Sequence, residues 1–382
     1  MTDFHDASST PTASANQSAR VLAIDALRGF DMFWIIGGDE LARAIGLWWG
    51  TPAALRLADQ FEHAAWEGFR FYDLIFPLFL FVVGAVLPFS LGNYHAGPHP
   101  KTAALARITR RVVLLFLLGL VYNGLLQFDF PNLRITGVLQ RIAICYGIAS
   151  VIFLFTAVRV RLVLIAAILV GYWALLMGVP SPETGRAGDL TRETNLAGYV
   201  DRHYLPGKIY PAYYGFGDNE GLLSTIPAVA TTLLGVLAGE WLKSNRVGPW
   251  AKSLGLLGAG LGCLGLGLFW SQVFPVIKIL WTSSYVLIAA GWSFLLLGLF
   301  YALVDVLKIR LWARFFVVIG VNAITIYLAS RIIPFDHMAR FFFGGLARLS
   351  GDLGGVVLVL GGLTLEWLLL YHLDRQRIFL KV

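Results

Sequence analysis

The stretch Phe61–Gly84, FEHAAWEGFRFYDLIFPLFLFVVG, constrains the fold more than any other. It opens with acids, a histidine, an arginine and a tryptophan between Phe61 and Arg70. From Phe71 it is apolar, broken only by Asp73 and Pro77. A run that long and that apolar reads as a transmembrane helix. His63 then sits one or two turns outside the membrane boundary, and Asp73 just inside it. Imidazole at such a boundary can be neutral at working pH and still meet a soluble substrate. A carboxylate at membrane depth costs about 2.5–3.5 kcal/mol on insertion scales, so Asp73 needs a partner and a purpose. The plainer account of His63 is a polar residue at the interface.

Composition agrees with a membrane setting. Of 382 residues, 57% are hydrophobic and only 14% charged, and the mean hydropathy is +0.70. Soluble domains carry about 25% charged residues. One membrane domain spanning 20–382 is expected, with no large soluble domain. The net charge is +7. The bases lie between apolar runs, where the positive-inside rule accounts for them, so no nucleic-acid partner is expected. Cys145 and Cys263 fall inside apolar runs with no CxxC and no nearby histidine pair, so no metal site is expected. Residues 1–19, rich in Ser, Thr and Ala, read as a disordered tail.

The apolar runs predict an all-α, polytopic transmembrane bundle of about ten helices, eleven if 334–348 crosses instead of lying at the interface. The first, over 21–37, carries Asp25, Arg28 and Asp31 within an arc of about 120°. Asp25 and Arg28 can pair at i,i+3 and face a polar interior, either as a packing device or as part of a site. Gln140 and Arg141 form a second polar point in a later helix, and Asn322 and Tyr327 interrupt the ninth. Two polar stretches, 38–70 and 179–220, read as loops at one end of the bundle. In the first, Trp66 follows His63 by three residues, placed to share a helical face with it. A sugar ring could stack there, although an interfacial belt position explains Trp66 equally simply. In the second, Tyr199, Asp201, Arg202 and His203 are candidate polar contacts. Asp201 and His203 form a rival acid–base pair that would share a face only in an extended chain.

The wording of several segments carries a resemblance. His63-Ala-Ala-Trp66-Glu-Gly68 followed by Asp73-Leu-Ile-Phe-Pro77 resembles heparan-α-glucosaminide N-acetyltransferase and its bacterial transmembrane relatives. The early Asp25-x-x-Arg28-Gly29, the Leu139-Gln140-Arg141 run, Lys278-x-x-Trp281-x-x-Ser284-Tyr285 and the Gly320-x-Asn322 pattern extend it over nearly everything after Arg20. In DNEGLLSTI, Asn219 stands where the family has proline and Ser224 where it has glycine. The resemblance implies an acyltransferase that takes acetyl from cytosolic acetyl-CoA, as co-substrate, to an amino sugar across the membrane. His63 stands at the motif histidine proposed to be catalytic; Asp73, or an acid nearer in sequence such as Glu67, could orient its ring. Asp25, Arg28, Trp66, Gln140, Arg141, Lys278 and Asn322 are then candidates to line the site.

Counting bases along ten helices puts Lys101–Arg111, Arg159 and Arg161, Lys243–Lys252, Lys308–Arg314 and Arg375–Lys381 on one side, the cytoplasm, with both termini. His63, 179–220 and Lys278 fall outside, and the setting implied is a bacterial inner membrane. Arg107, Arg110 and Arg111 could hold the phosphates of acetyl-CoA, or could simply obey the positive-inside rule. His63 could act as a general base or carry the acetyl group as nucleophile. A homodimer is compatible with such a bundle. Two other classes fit the same features: an amino-sugar or oligosaccharide transporter, and a non-catalytic scaffold. A polysaccharide O-acetyltransferase shares the chemistry and differs in acceptor.

Overall fold

The computed structural model describes residues 21–210 and 215–380. The expected tail over 1–19 and the base at 381 lie outside the described residues. The helices are α1 (Leu22–Phe33), α2 (Asp39–Trp49), α3 (Pro52–Ala58), α4 (Ile75–His95), α5 (Lys101–Tyr122), α6 (Val138–Phe155), α7 (Val158–Gly178) and α8 (Leu196–Tyr204). They continue as α9 (Leu222–Lys243), α10 (Pro249–Trp270), α11 (Ser283–Tyr301), α12 (Leu311–Val321), α13 (Ala323–Ile332), α14 (Phe335–Leu349) and α15 (Gly354–Arg375). Among the described residues, extended pairing is confined to two isolated bridges, Glu67 with Ile277 and Arg134 with Gly207.

Among the described residues, seven helices are long and apolar enough to cross a membrane, with an eighth span if α12 and α13, bent by 65° at Asn322, count as one. The protein is therefore a polytopic helical membrane protein. The expected count of about ten included two further segments. Both are helical, but α1 has only 12 residues, and Arg107, Arg110 and Arg111 break the apolar character of α5. They pack inside the bundle all the same, α1 on α12 and α5 on α6.

The centre of the bundle is α4, α9 and α11. The apolar stretches of α4 and α9 are 72% buried, whereas those of α10 and α15 are 22% buried and turn most of their surface to lipid. Lipid tails are as apolar as leucine, so close van der Waals packing holds such helices together. A Cβ added at Gly84 would lie 1.9 Å from Thr232 O, and one added at Gly235 would lie 1.9 Å from Phe81 O. Small residues at these two positions let the backbones of α4 and α9 touch.

The stretch 38–70, expected to be a loop, is largely helical. DELARAIGLWW forms α2, which packs on α15, and Thr51 caps α3 by accepting from Ala54 N at 3.3 Å. The two helices close on each other through Gly46, Ala54 and Ala58, while Leu47, Trp48, Trp49 and Leu57 stay exposed. Only 62–70 runs without regular helix, and this is where His63 lies.

Candidate active site

The site begins at the foot of α4. A single 3₁₀ turn, Phe71–Leu74, leads into the helix, and Asp73 is its third residue. Asp73 Oδ2 accepts from Arg70 N at 3.0 Å and from Ala64 N at 3.2 Å. Oδ1 meets His63 Nδ1 at 2.8 Å. The carboxylate satisfies the amide of the N-cap residue Arg70 and that of Ala64 in the preceding loop, and sits favourably in the helix dipole. It also folds 63–70 back against the helix, which fixes His63. Tyr285 OH donates to Asp73 O at 2.7 Å, tying the turn to α11. The Asp73 side chain is fully buried and His63 is about a quarter exposed, at 28%. Tyr72 flanks the imidazole, with ring centroids 4.8 Å apart.

Lys278 arrives from far along the chain. Gly68, at φ 118°, donates its N–H to Val276 O at 2.9 Å, and Glu67 bridges Ile277. The next side chain is then beside His63. Lys278 Nζ lies 2.8 Å from His63 Nδ1, 3.3 Å from Nε2 and 3.3 Å from Asp73 Oδ1. With both ring nitrogens so near, the amine stands beside the ring and off the lone-pair axis of Nδ1. One proton on Nδ1 satisfies Asp73, and the lysine charge is answered by the carboxylate. That assignment leaves the imidazole lone pair on Nε2.

The electrostatics agree. Burial pushes the His63 pKa below its ordinary 6.5; Asp73 pulls it back up and the charge of Lys278 lowers it again. Burial likewise pulls the Lys278 amine below its usual range, against the opposing pull of Asp73. A neutral imidazole braced by a carboxylate is the arrangement a general base or nucleophile needs.

His63, Tyr72 and Lys278 line a cavity of about 250 Å³, together with Trp281, Tyr327 and, from the turn before α9, Asn219 and Glu220. That turn is held by charge. Arg134 donates to Asp218 at 2.9 and 2.5 Å and also to Glu220. Asp201, on α8, accepts from Asp218 N at 3.1 Å and Leu222 N at 2.9 Å, and burial pushes its pKa up to about 6. Asp201 therefore builds the turn and does not meet His203. On a helix, residues two apart point about 200° from each other. His203 is exposed and bonded through Nδ1 to Tyr199 O at 2.9 Å.

Gln140 and Arg141 are buried behind this cavity. Arg141 reaches Ser224 Oγ at 2.5 Å and Gly221 O at 3.3 Å, with its guanidinium 4.9 Å from the Trp281 ring. Ser224 thus serves as an acceptor at the start of α9. Gln140 packs against Gly119. Trp66 lies on a non-helical segment and turns its indole N–H to Leu190 O at 3.0 Å, so it shares no helical face with His63.

A second cavity, about 300 Å³, follows along α4 and α13. Phe76 and Tyr327 line the first, and Phe79 and Thr325 the second. Its polar lining is Arg28, Arg111, Asn322 and Thr325. Arg28 pairs with Asp25 at 3.1 Å and donates to Gly320 O at 2.6 Å. Asn322 Nδ2 and Arg111 Nε are buried without partners among the described residues. A third recess, about 310 Å³, holds Arg107, Arg110 and Arg111 around Tyr146 and Ser90. The candidates from the sequence thus separate into one group around His63 and another around Arg111. Tyr72, Asn219 and Glu220 were not among them, although Tyr72 adjoins Asp73 and the other two stand in a segment read only for its loop geometry.

Fold and site together define a polytopic helical membrane protein with a histidine–aspartate–lysine centre at one end of its bundle. In sequence the chain is related to heparan-alpha-glucosaminide N-acetyltransferase: it is 28% identical over 276 residues to the protein of Homo sapiens and 26% identical over 276 residues to that of Mus musculus. The match covers 58% of this chain, but only 41% and 42% of those two proteins, so the chain spans about two-fifths of their length. No protein-family model matches the chain.

Proposed function

We propose that this protein is a transmembrane acetyltransferase that moves acetyl from cytosolic acetyl-CoA to the amine of a glucosamine-type sugar on the other side of the membrane. The observation that carries this reading is His63, hydrogen-bonded to buried Asp73, on the wall of a cavity next to a second, donor-lined one. Relatedness to two N-acetyltransferases supports it.

In this reading Asp73 holds the Nδ1 proton and Nε2 takes a proton from the amine as it attacks the thioester carbonyl. Lys278, beside the ring, stabilises the negative charge that develops on the carbonyl oxygen. Arg107, Arg110 and Arg111 are suited to phosphates, and the unpartnered Asn322 and Arg111 N–H groups to the carbonyls and phosphates of a donor reaching toward His63. The arginine-rich end is then cytoplasmic, and His63 lies outside.

The test uses purified protein in detergent with radiolabelled acetyl-CoA and glucosamine, comparing wild type with His63→Ala. Acetylated glucosamine from wild type and none from the folded variant is the expected result. Label retained on wild-type protein without acceptor, but not on the variant, would assign His63 as nucleophile instead of base. The two stacked cavities also fit a sugar transporter. Solute flux in proteoliposomes without acetyl-CoA consumption would favour that second reading.

A further inference from the structure

Acetyl transfer as outlined leaves one wall of the His63 cavity without a task. Asn219 and Glu220, the residues just before Gly221 and α9, both line it. Asn219 Oδ1 is a buried acceptor with no partner among the described residues. Glu220 gives Oε2 to Arg134, yet Arg134 does not neutralise it. The same guanidinium is held by Asp218 through two bonds, so one cation serves two carboxylates. Lys278 is the other cation lining the cavity, near enough to feel Glu220, but it lies 3.3 Å from Asp73 and is shared with it; Arg141, behind the cavity, is turned to Ser224 Oγ and Gly221 O and acts on Asp201. The remaining titratable lining groups, Tyr72, Tyr327 and His63, add no positive charge while the imidazole is neutral. This wall therefore offers one bare oxygen and one under-compensated carboxylate, and the ligand group that fits is a cation rich in donors.

We propose that Asn219 and Glu220 form an ammonium subsite, which selects an acceptor bearing a primary amine and releases the molecule once that amine has become an amide. The release step rests on the acetyltransferase reading. An ammonium brings three donors and a charge, whereas a sugar hydroxyl brings one donor and none. Charge-assisted bonds are roughly twice as strong as neutral ones. During transfer the carbon–sulfur bond of the thioester breaks as the carbon–nitrogen bond forms. The ammonium gives up two protons, one to the departing thiolate and one through His63 to solvent. The product amide keeps a single N–H and no charge, so the subsite holds it less tightly.

The experiment measures binding of radiolabelled glucosamine to the full-length protein in detergent, without acetyl donor, with unlabelled glucose and N-acetylglucosamine as competitors. Glucosamine should bind at least about tenfold more tightly than either competitor. In Glu220→Gln and in Asn219→Ala the preference should fall below about threefold, with glucosamine affinity falling more than glucose affinity. Asn219→Ala removes an oxygen that no described residue uses, so it reports even if Glu220→Gln loosens Arg134. Equal binding of the three sugars by wild type, or a preference that survives both substitutions, overturns the proposal. Acetyl transfer assayed on the same preparations separates the two ideas. An amine preference without transfer supports the subsite and sinks the acetyltransferase reading, and transfer without a preference does the reverse.

Discussion

The cavity at His63 and the cavity at Arg111 lie one helical turn apart along α4, are similar in size, and differ in what they offer a ligand. The first, at about 250 Å³, presents acceptors from the turn before α9, Asn219 Oδ1 and the Glu220 carboxylate, beside a basic imidazole. The second, at about 300 Å³, presents donors: Arg28, Arg111 and the amide of Asn322. A ligand rich in phosphate and carbonyl oxygens suits the second and would find poor partners on the acceptor wall of the first. An amine suits the first and would be repelled by the guanidinium groups of the second. In the proposed reaction, polarity of this kind would keep the two substrates in their own compartments while their reactive ends meet.

Substitutions can break this comparison. His63→Ala should lower acetyl transfer by about 10²–10⁴-fold, the usual worth of a positioned base, with the helical content unchanged. Circular dichroism checks the fold and the radiolabel assay checks the rate. If the variant kept its rate, chemistry would have to move away from the first cavity altogether. Asp73→Asn should come close behind, because an amide can turn its N–H toward Nδ1 and favour the tautomer with its proton on Nε2. It should also lower the melting temperature, since Arg70 N and Ala64 N share that carboxylate.

Lys278→Met tests the electrostatics. The imidazole must be neutral to act, so activity rises with pH through its pKa. The charge of Lys278 holds that pKa down, so its removal should move the acid limb of kcat/KM to higher pH by about one unit. A limb that stayed in place would mean that burial alone sets the basicity of His63.

The second cavity gives a smaller effect, but a sharper contrast. Arg111→Gln should raise KM for acetyl-CoA about 5- to 30-fold, the equivalent of about 1–2 kcal/mol, and leave KM for glucosamine unchanged. A change in the glucosamine constant instead would merge the two cavities into one site. The smallest effect expected is that of Tyr285→Phe. It removes one bond to Asp73 O, worth about 0.5–1.5 kcal/mol in thermal or denaturant unfolding, with at most a few-fold loss of rate.

Much of this was legible in the chain. Long apolar runs with few charges can be satisfied only as helices in lipid, because every backbone group must bond internally. That logic yields α4, α6, α7, α9, α10, α11 and α15 from composition alone. His63, Asp73 and Lys278 could also be singled out as polar residues at the edges of such runs, where charge is expensive. The stretch before His63 reads as loop because α2 and α3 are short and interrupted by charge, and the partner of α2 is α15, at the far end of the chain. His63 and Lys278 are expected at the same face, but their direct contact across 215 residues was not readable, since it depends on Glu67 bridging Ile277. Nor could the sequence sort Arg28, Asn322 and Arg111 from Asn219 and Glu220. Hydropathy reports how costly a polar residue is in a helix or loop. Which polar groups share a cavity, and which are left without a partner there, is decided only when helices far apart in the chain pack together.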